Sequence, residues 1–378
     1  MSDDDLYRQL QQHLDRMPVP FPATRSGVEI RILKHLFTPD EARVVLALGM
    51  IPEPVGVIHR RLRTDVSREA LAARLDRMAS RGLVQSMPGA GEGTYGKTVF
   101  VVGFYEAQVN RLTADFERDV VQYFDEAFGK ALLSTRTQQM RTVPINRVVA
   151  SPDLPVAPYD DVADLVRASQ GPFAVMNCIC QQGRDLLAEP CRQTSNREHC
   201  LTFGPAARMM VERASARFVS QDDVLALLEQ ADRDGLVLQP QNTENPLFVC
   251  CCCACCCGVL TTVKKFPQPA RFLGRNYAAL VDGEACQACG TCTTRCQMQA
   301  ITIIEGDWSR AVVDLDRCIG CGLCVTTCPS EAIRLEHTPT EHVPPRDTGR
   351  LYVQMYRERY GTLGMAAAFG RKVLGRKT

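Results

Sequence analysis

The chain is predicted to be a multidomain α+β protein. Three observations lead there. Residues 25–105 alternate helical and strand-like patterns and hold no cysteine, residues 171–265 hold eleven cysteines, and residues 276–336 hold the remaining eight of 19 at a repeated spacing. The length of 378 residues suits two or three domains. With 44 Lys+Arg against 43 Asp+Glu, any basic surface must be local. The opening Met1-Ser2-Asp3-Asp4-Asp5 lacks the basic and apolar parts of a signal peptide. The longest weakly polar stretch, Phe248 to Val263, falls short of the ~18 residues needed to span a bilayer. These features predict a cytoplasmic protein with no membrane span. An odd cysteine count excludes an all-disulfide scaffold, and many thiols in a reducing compartment point to metal or redox chemistry.

Residues 25–105 read as a winged helix. Thr38-Pro39-Asp40-Glu41 predicts a capped helix running through Ala42, Val45, Leu46 and Leu48 to Gly49. A short helix over Val55 to Leu62 follows. Ser67 caps a third helix with the apolar stripe Leu71, Leu75, Met78, ended by Gly82. Leu83-Val84 and Thr98 to Val102 are the expected strands, with Gly89, Gly91, Gly93 and Gly96 in the loop between them. Arg74, Arg77 and Arg81 share one face of the third helix. Arg60, Arg61, Arg63 and Arg68 precede them, against the acids Asp65, Glu69 and Asp76. That arrangement suits a helix facing DNA phosphates through Arg74, Arg77 and Arg81, and equally a protein-docking face. Gly91 to Thr98 also satisfies a phosphate-loop pattern. The β-branched and aromatic residues from Thr98 to Tyr105 favour a strand over the helix such a loop must open, so a hairpin is expected there.

Residues 106–170 form a linker, helical from Glu106 to Leu133 and then punctuated by Pro144, Pro152, Pro155 and Pro158. Residues 171–265 form a cysteine-rich domain with Cys178, Cys180, Cys191 and Cys200, then Cys250, Cys251, Cys252, Cys253, Cys255, Cys256 and Cys257, closed by Gly258. Neighbouring side chains on an extended chain point oppositely. The dense run therefore either loops tightly or presents thiolates to two sides. Disulfides between sequence neighbours would be strained, and a plain apolar core would use Ala, Val or Ile. The expected role of all eleven is metal ligation, in one or two additional iron–sulfur centres of unknown type. For Cys178, Cys180, Cys191 and Cys200 a tetrahedral zinc site is the alternative. Ser220-Gln221-Asp222-Asp223 caps a helix through Leu225, Leu227 and Leu228.

Residues 276–337 carry the clearest signal. Cys286, Cys289, Cys292 and Cys296 follow C-x2-C-x2-C-x3-C, and Cys318, Cys321, Cys324 and Cys328 repeat it, with Pro329 next. Three thiolates of each loop reach one four-iron core, and the fourth crosses to the other. The expected sets are Cys286, Cys289, Cys292 with Cys328, and Cys318, Cys321, Cys324 with Cys296. A hairpin from Ile301 to Ile304 and Ala311 to Val313 fills the gap between the motifs. Residues 338–378 form a basic tail with Arg371, Lys372, Arg376 and Lys377. It suits a frayed terminus or an amphipathic helix. Asp347-Thr348-Gly349 has no second copy to make a protease pair.

Asp316 to Cys324 and Cys328-Pro329 resemble bacterial-type two-[4Fe-4S] ferredoxins, with Gln297 standing where the first repeat usually has proline. The resemblance implies two [4Fe-4S] clusters and low-potential one-electron transfer. Leu36-Phe37-Thr38-Pro39, Cys178-Ile179-Cys180, Cys200 to Gly204, Gly235 to Pro240 and Cys252 to Gly258 are similar to an uncharacterised family of ferredoxin-like proteins of anaerobes. That likeness implies a winged helix ahead of the cysteine-rich segments. Paired cysteines also resemble those that hold non-cubane clusters in heterodisulfide-reductase-type subunits. The functional expectation is an iron–sulfur electron-transfer protein with a redox partner protein, an electron carrier or oxidoreductase subunit rather than an independent enzyme. The alternative is a redox-responsive DNA-binding transcriptional regulator. No catalytic His/Ser/acid constellation is visible.

Overall fold

The computed structural model describes residues 2–62, 65–87, 93–145, 157–306 and 308–373, in a mixed α+β fold. Arg63, Gly89, Gly91, Pro152, Pro155, Arg376 and Lys377 lie outside the described residues. The chain divides into two compact units, Met1–Arg136 with Tyr352–Thr378, and Thr137–Leu351.

In the first unit, α1 (Asp3–Leu14) and α2 (Val28–Leu36) precede α3 (Pro39–Leu46). The last opens as expected, with the Thr38 side chain accepting from the Glu41 N–H and Glu41 reaching back to the Thr38 N–H. β1 (Glu53–Pro54), α4 (Val55–Leu62), α5 (Arg68–Ser80), β2 (Val84–Met87) and β3 (Thr94–Lys97) follow, the strands forming an antiparallel sheet of order β1-β3-β2. Leu71, Leu75 and Met78 are buried on α5. The second long strand falls earlier than expected, at Thr94–Lys97 and not at Thr98 to Val102. Aromatic packing explains the shift. Phe100 enters a cluster with Phe21, Tyr123 and Phe128, which draws the apolar run out of the sheet. The strand β3, and no helix, directly follows Gly93. Lys97 is buried on β3 and donates to the His13 carbonyl, so it serves the interior and no phosphate.

The helix expected from Glu106 begins later, where Thr113 caps it. It runs as α6 (Ala114–Tyr123) and, through a π-helical stretch at Phe124–Phe128, α7 (Gly129–Leu132). The tail carries α14 (Thr348–Val373), interrupted at Gly361, whose φ is 69°.

The second unit is built on α8 (Val162–Ala168), β4 (Phe173–Asn177), α9 (Ile179–Leu186), β5 (Glu198–Phe203), α10 (Gly204–Glu212), β6 (Arg217–Val219), α11 (Gln221–Asp234), β7 (Val237–Pro240), β8 (Phe248–Cys252) and α12 (Gly258–Lys264). The strands pair antiparallel in the order β6-β4-β5-β8-β7. Val175, Leu201 and Val249 are buried on its central strands, and Val237 on the edge strand β7. Beyond it come β9 (Tyr277–Val281), α13 (Thr291–Arg295), β10 (Ile301–Ile304), β11 (Arg310–Val313) and β12 (Ile333–His337); β10 and β11 form an antiparallel hairpin, and β9 pairs antiparallel with the distant β12. The Ser220 cap on α11 forms as expected, reciprocated by Asp223. Among the described residues, no helix is long and apolar enough to cross a membrane.

Candidate metal centres

The C-terminal segment repeats itself every 32 residues in space as well as in sequence. Ile301 pairs with Val313, and Ile333 pairs with Val281, so each strand pair joins the start of one repeat to the end of the other. The sulfurs accept matching backbone N–H bonds. Cys286 takes one from Ala311 at 3.3 Å and Cys318 one from Ala279 at 3.4 Å. Cys296 takes one from Ala300 at 3.2 Å and Cys328 one from Ala332 at 3.3 Å.

The neighbours of each thiol cross between the motifs. Burial, then the charges of Cys286, Cys289 and Cys328, raise Cys292. Burial, then Cys321, Cys318 and Cys296, raise Cys324. Each group thus contains three cysteines of one motif and the last of the other. The two differ in exposure. Cys289 lies at the surface, and hydrogen bonds from Thr291 lower it. In the other group Cys318 and Cys324 are buried, and burial pushes Cys321 up to about 12.

The middle cysteines separate into two groups and one remainder. Six thiols neighbour one another in a ring. Cys178 is influenced by Cys180 and Cys200, Cys257 by Cys180 and Cys252, and Cys250 by Cys200 and Cys252. The fold explains the gathering. Cys200 and Cys250 are partners across β5 and β8, and Cys252 lies two residues on, on the same face. Cys178 caps α9 and Cys257 caps α12, so two helix N-termini point their orphan N–H groups at the ring. Cys178, Cys250 and Cys257 are lowered by thiol donors, and Cys180, Cys200 and Cys252, which donate, are raised. Several buried thiolates side by side call for a cation. Cys251 points to the opposite face, where burial raises it.

Two glutamines and a histidine, unremarked in the sequence, complete this neighbourhood. A register shift between Met176 and Asn177 places His199 at a bulge in β5, where it lies with Cys178 and Cys200 within 4.8 Å. Its Nε2 contacts Gln181 Oε1 at 2.7 Å, and its Nδ1 is buried with no hydrogen-bond partner. Gln239 faces Cys250 in register and its Oε1 lies 3.9 Å from the Cys257 sulfur, while its Nε2 is likewise buried with no partner among the described residues. Unsatisfied buried polar atoms are costly. A sulfide-containing core at the ring would offer acceptors to these atoms, so the residues present fit such a group. The sequence signal for His199 was its place directly before Cys200. The two glutamines carried none.

The second group joins Cys191, from the loop after α9, to Cys253, Cys255 and Cys256 in the turn after β8. The dense run therefore does both things considered from sequence: it alternates along β8, and it loops tightly where Cys257 N–H bonds the Cys253 carbonyl at 3.0 Å. The tetrahedral set Cys178, Cys180, Cys191, Cys200 does not form. Strand pairing carries Cys200, with Cys178 and Cys180, into the ring, and Cys191 goes to the turn.

Gln297 has a role that its replacement of proline did not suggest. Buried beside Cys296, it accepts from the Ala254 N–H and donates to the Gly235 carbonyl, tying the C-terminal repeat to the cysteine turn. Near α5, Arg81 pairs with Glu41 at 2.7 Å and donates to the Leu36 carbonyl, and Arg74 stands 3.9 Å from Asp40. Arg77 is exposed.

Comparison with known proteins bears on the C-terminal repeat. Residues 279–335 match the family model of the 4Fe-4S dicluster domain. No curated relative and no solved structure matches the chain. The doubled motif, its crossed thiol neighbours and this match together make residues 279–335 a ferredoxin-like iron–sulfur domain.

Proposed function

We propose that the protein is an electron carrier or oxidoreductase subunit holding two [4Fe-4S] clusters and one further polynuclear iron–sulfur centre. Cys286, Cys289, Cys292 and Cys328 would hold one cluster, and Cys318, Cys321, Cys324 and Cys296 the other. The single observation that carries this reading is the match of the doubled cysteine motif in residues 279–335 to the 4Fe-4S dicluster domain. Cys178, Cys180, Cys200, Cys250, Cys252 and Cys257 would hold the further centre, since six thiolates exceed the four that one tetrahedral ion takes. Bound clusters supply one-electron transfer, with potentials set by hydrogen bonds to sulfur and by burial.

The residues of the chain order these sites. Exposed Cys289 marks the set that a redox partner protein can approach. The buried Cys318 set adjoins Gln297, whose hydrogen bond to Ala254 links it to the turn between the two middle groups. The DNA-binding regulator draws less support. Arg81 is committed to Glu41 and Leu36, which leaves Arg77 and part of Arg74 for phosphate.

Anaerobic iron and sulfide quantification, with EPR before and after reduction, tests the assignment. About twelve irons, eight of them in two reducible four-iron clusters, are expected. Colourless protein, or about eight irons with all eleven middle thiols free to titrate, would overturn it.

A further inference from the structure

We propose that Cys191, Cys253, Cys255 and Cys256 bind a single tetrahedral metal ion, zinc or iron, in a closed four-thiolate site free of inorganic sulfide. The assignment goes beyond the iron–sulfur reading and stands on its own geometry.

The spacing of the sulfurs carries it. Cys191 lies 3.6 Å from Cys253 and 3.8 Å from Cys255, and Cys255 lies 3.7 Å from Cys256. All four sulfurs fall within 4.8 Å of one another. A metal–sulfur bond of about 2.3 Å in a tetrahedron places its ligand sulfurs roughly 3.8 Å apart. A four-iron core is wider and holds its thiolates further apart.

The surroundings suit a charged, filled site. Gln181 Nε2 donates to Cys191 at 3.3 Å and approaches Cys253 at 3.7 Å, and the Gln193 N–H donates to Cys191 at 3.4 Å. These N–H groups offset the negative charge that four thiolates keep after binding a divalent ion. Four protein ligands leave no coordination position open, which is the structural type of site. Bound there, the ion would pin the loop carrying Cys191 to the turn of Cys253, Cys255 and Cys256. Cys252 and Cys257, the ring members flanking that turn, would be held in place with it. Binding deprotonates the thiols and involves no change of oxidation state.

The test is metal analysis and X-ray absorption on the full-length, anaerobically purified chain after dialysis against EDTA. The expected result is one zinc per chain with four sulfur neighbours at about 2.3 Å and no iron neighbour. In zinc-depleted growth, one mononuclear high-spin iron should replace it, distinguished by Mössbauer spectroscopy from sulfide-bridged iron. Cys191→Ser with Cys255→Ser should remove that one ion and leave the EPR of the reduced C-terminal clusters at full amplitude. The proposal is overturned if the native protein holds neither ion after dialysis, if zinc shows an iron neighbour, or if the double variant keeps the ion. Loss of acid-labile sulfide in that variant, with the C-terminal EPR intact, would also overturn it. Absence of the C-terminal clusters alone would sink the electron-transfer reading and leave this one standing.

Discussion

Cys292 and Cys324 stand 32 residues apart and occupy equivalent positions in two matching groups. Cys252 and Cys253 are adjacent and belong to different groups. In the C-terminal repeat the cysteine spacing matches the doubled motif of a 4Fe-4S dicluster domain. In the middle region spacing misleads. There, strand alternation separates neighbours, and strand pairing unites residues as distant as Cys200 and Cys250.

The largest expected effect sharpens that contrast within one strand. Cys252→Ser should remove about a third of the iron, four of roughly twelve, while the C-terminal EPR signals persist. Cys251→Ala, one residue away on the other face, should leave iron content unchanged and lower stability by no more than about 1.5 kcal/mol. Iron analysis and denaturation of the two variants side by side decide it. Equal iron loss in both would mean that β8 does not sort its thiols by face.

Next comes a test of symmetry in the repeat. Gly320 has φ +70°, and a Cβ there would lie 2.2 Å from the Tyr277 carbonyl oxygen. Its counterpart Ala288 also has a positive φ, of 50°. Gly320→Ala should cost roughly 3 kcal/mol, through the left-handed backbone and the clash. Ala288→Gly should shift stability by less than about 1 kcal/mol. Thermal denaturation under argon measures both, and a mild Gly320→Ala would show that the two loops are interchangeable.

A smaller effect concerns the tie between the regions. Gln297→Met leaves the Ala254 N–H unsatisfied and should cost about 1–3 kcal/mol. Both C-terminal EPR signals should keep their amplitude. Loss of either signal would make Gln297 part of the cluster site itself.

The mildest effect is one of pH. Hydrogen bonding from Cys253, with backbone donors behind it, lowers Cys191 to about 6, whereas burial raises Cys251. A lowered thiol is charged above its own pKa and protonated below it. In metal-free protein, alkylation of Cys191 should therefore rise as pH climbs through about 6, well before Cys251 reacts. Protons should compete with metal for Cys191 below that value. Mass spectrometry of alkylated peptides across the pH range reads both residues at once, and simultaneous labelling would refute the difference.

Much of this was legible in advance. The Thr38, Ser67 and Ser220 caps, the α5 stripe and the β10–β11 hairpin follow from local rules, since each depends on residues three or four apart or on one short turn. The early end of β3 was not legible, because only the distant Phe21, Tyr123 and Phe128 make a destination for Phe100. Gln181, Gln239 and His199 were overlooked for a similar reason. Nothing local marks a glutamine whose importance lies in facing a sulfur across a strand or a helix end.

By itself, then, the amino-acid order determined that thiol chemistry would dominate this protein and that residues 276–337 would carry a doubled cluster motif. Short-range geometry encodes both facts. Only the tertiary structure divided the eleven middle cysteines into six thiols that neighbour one another, four sulfurs within 4.8 Å of one another, and Cys251 on the opposite face. That division depends on which strands pair, which face each residue takes and where helix N-termini point, and those are properties of contacts between segments far apart in the chain.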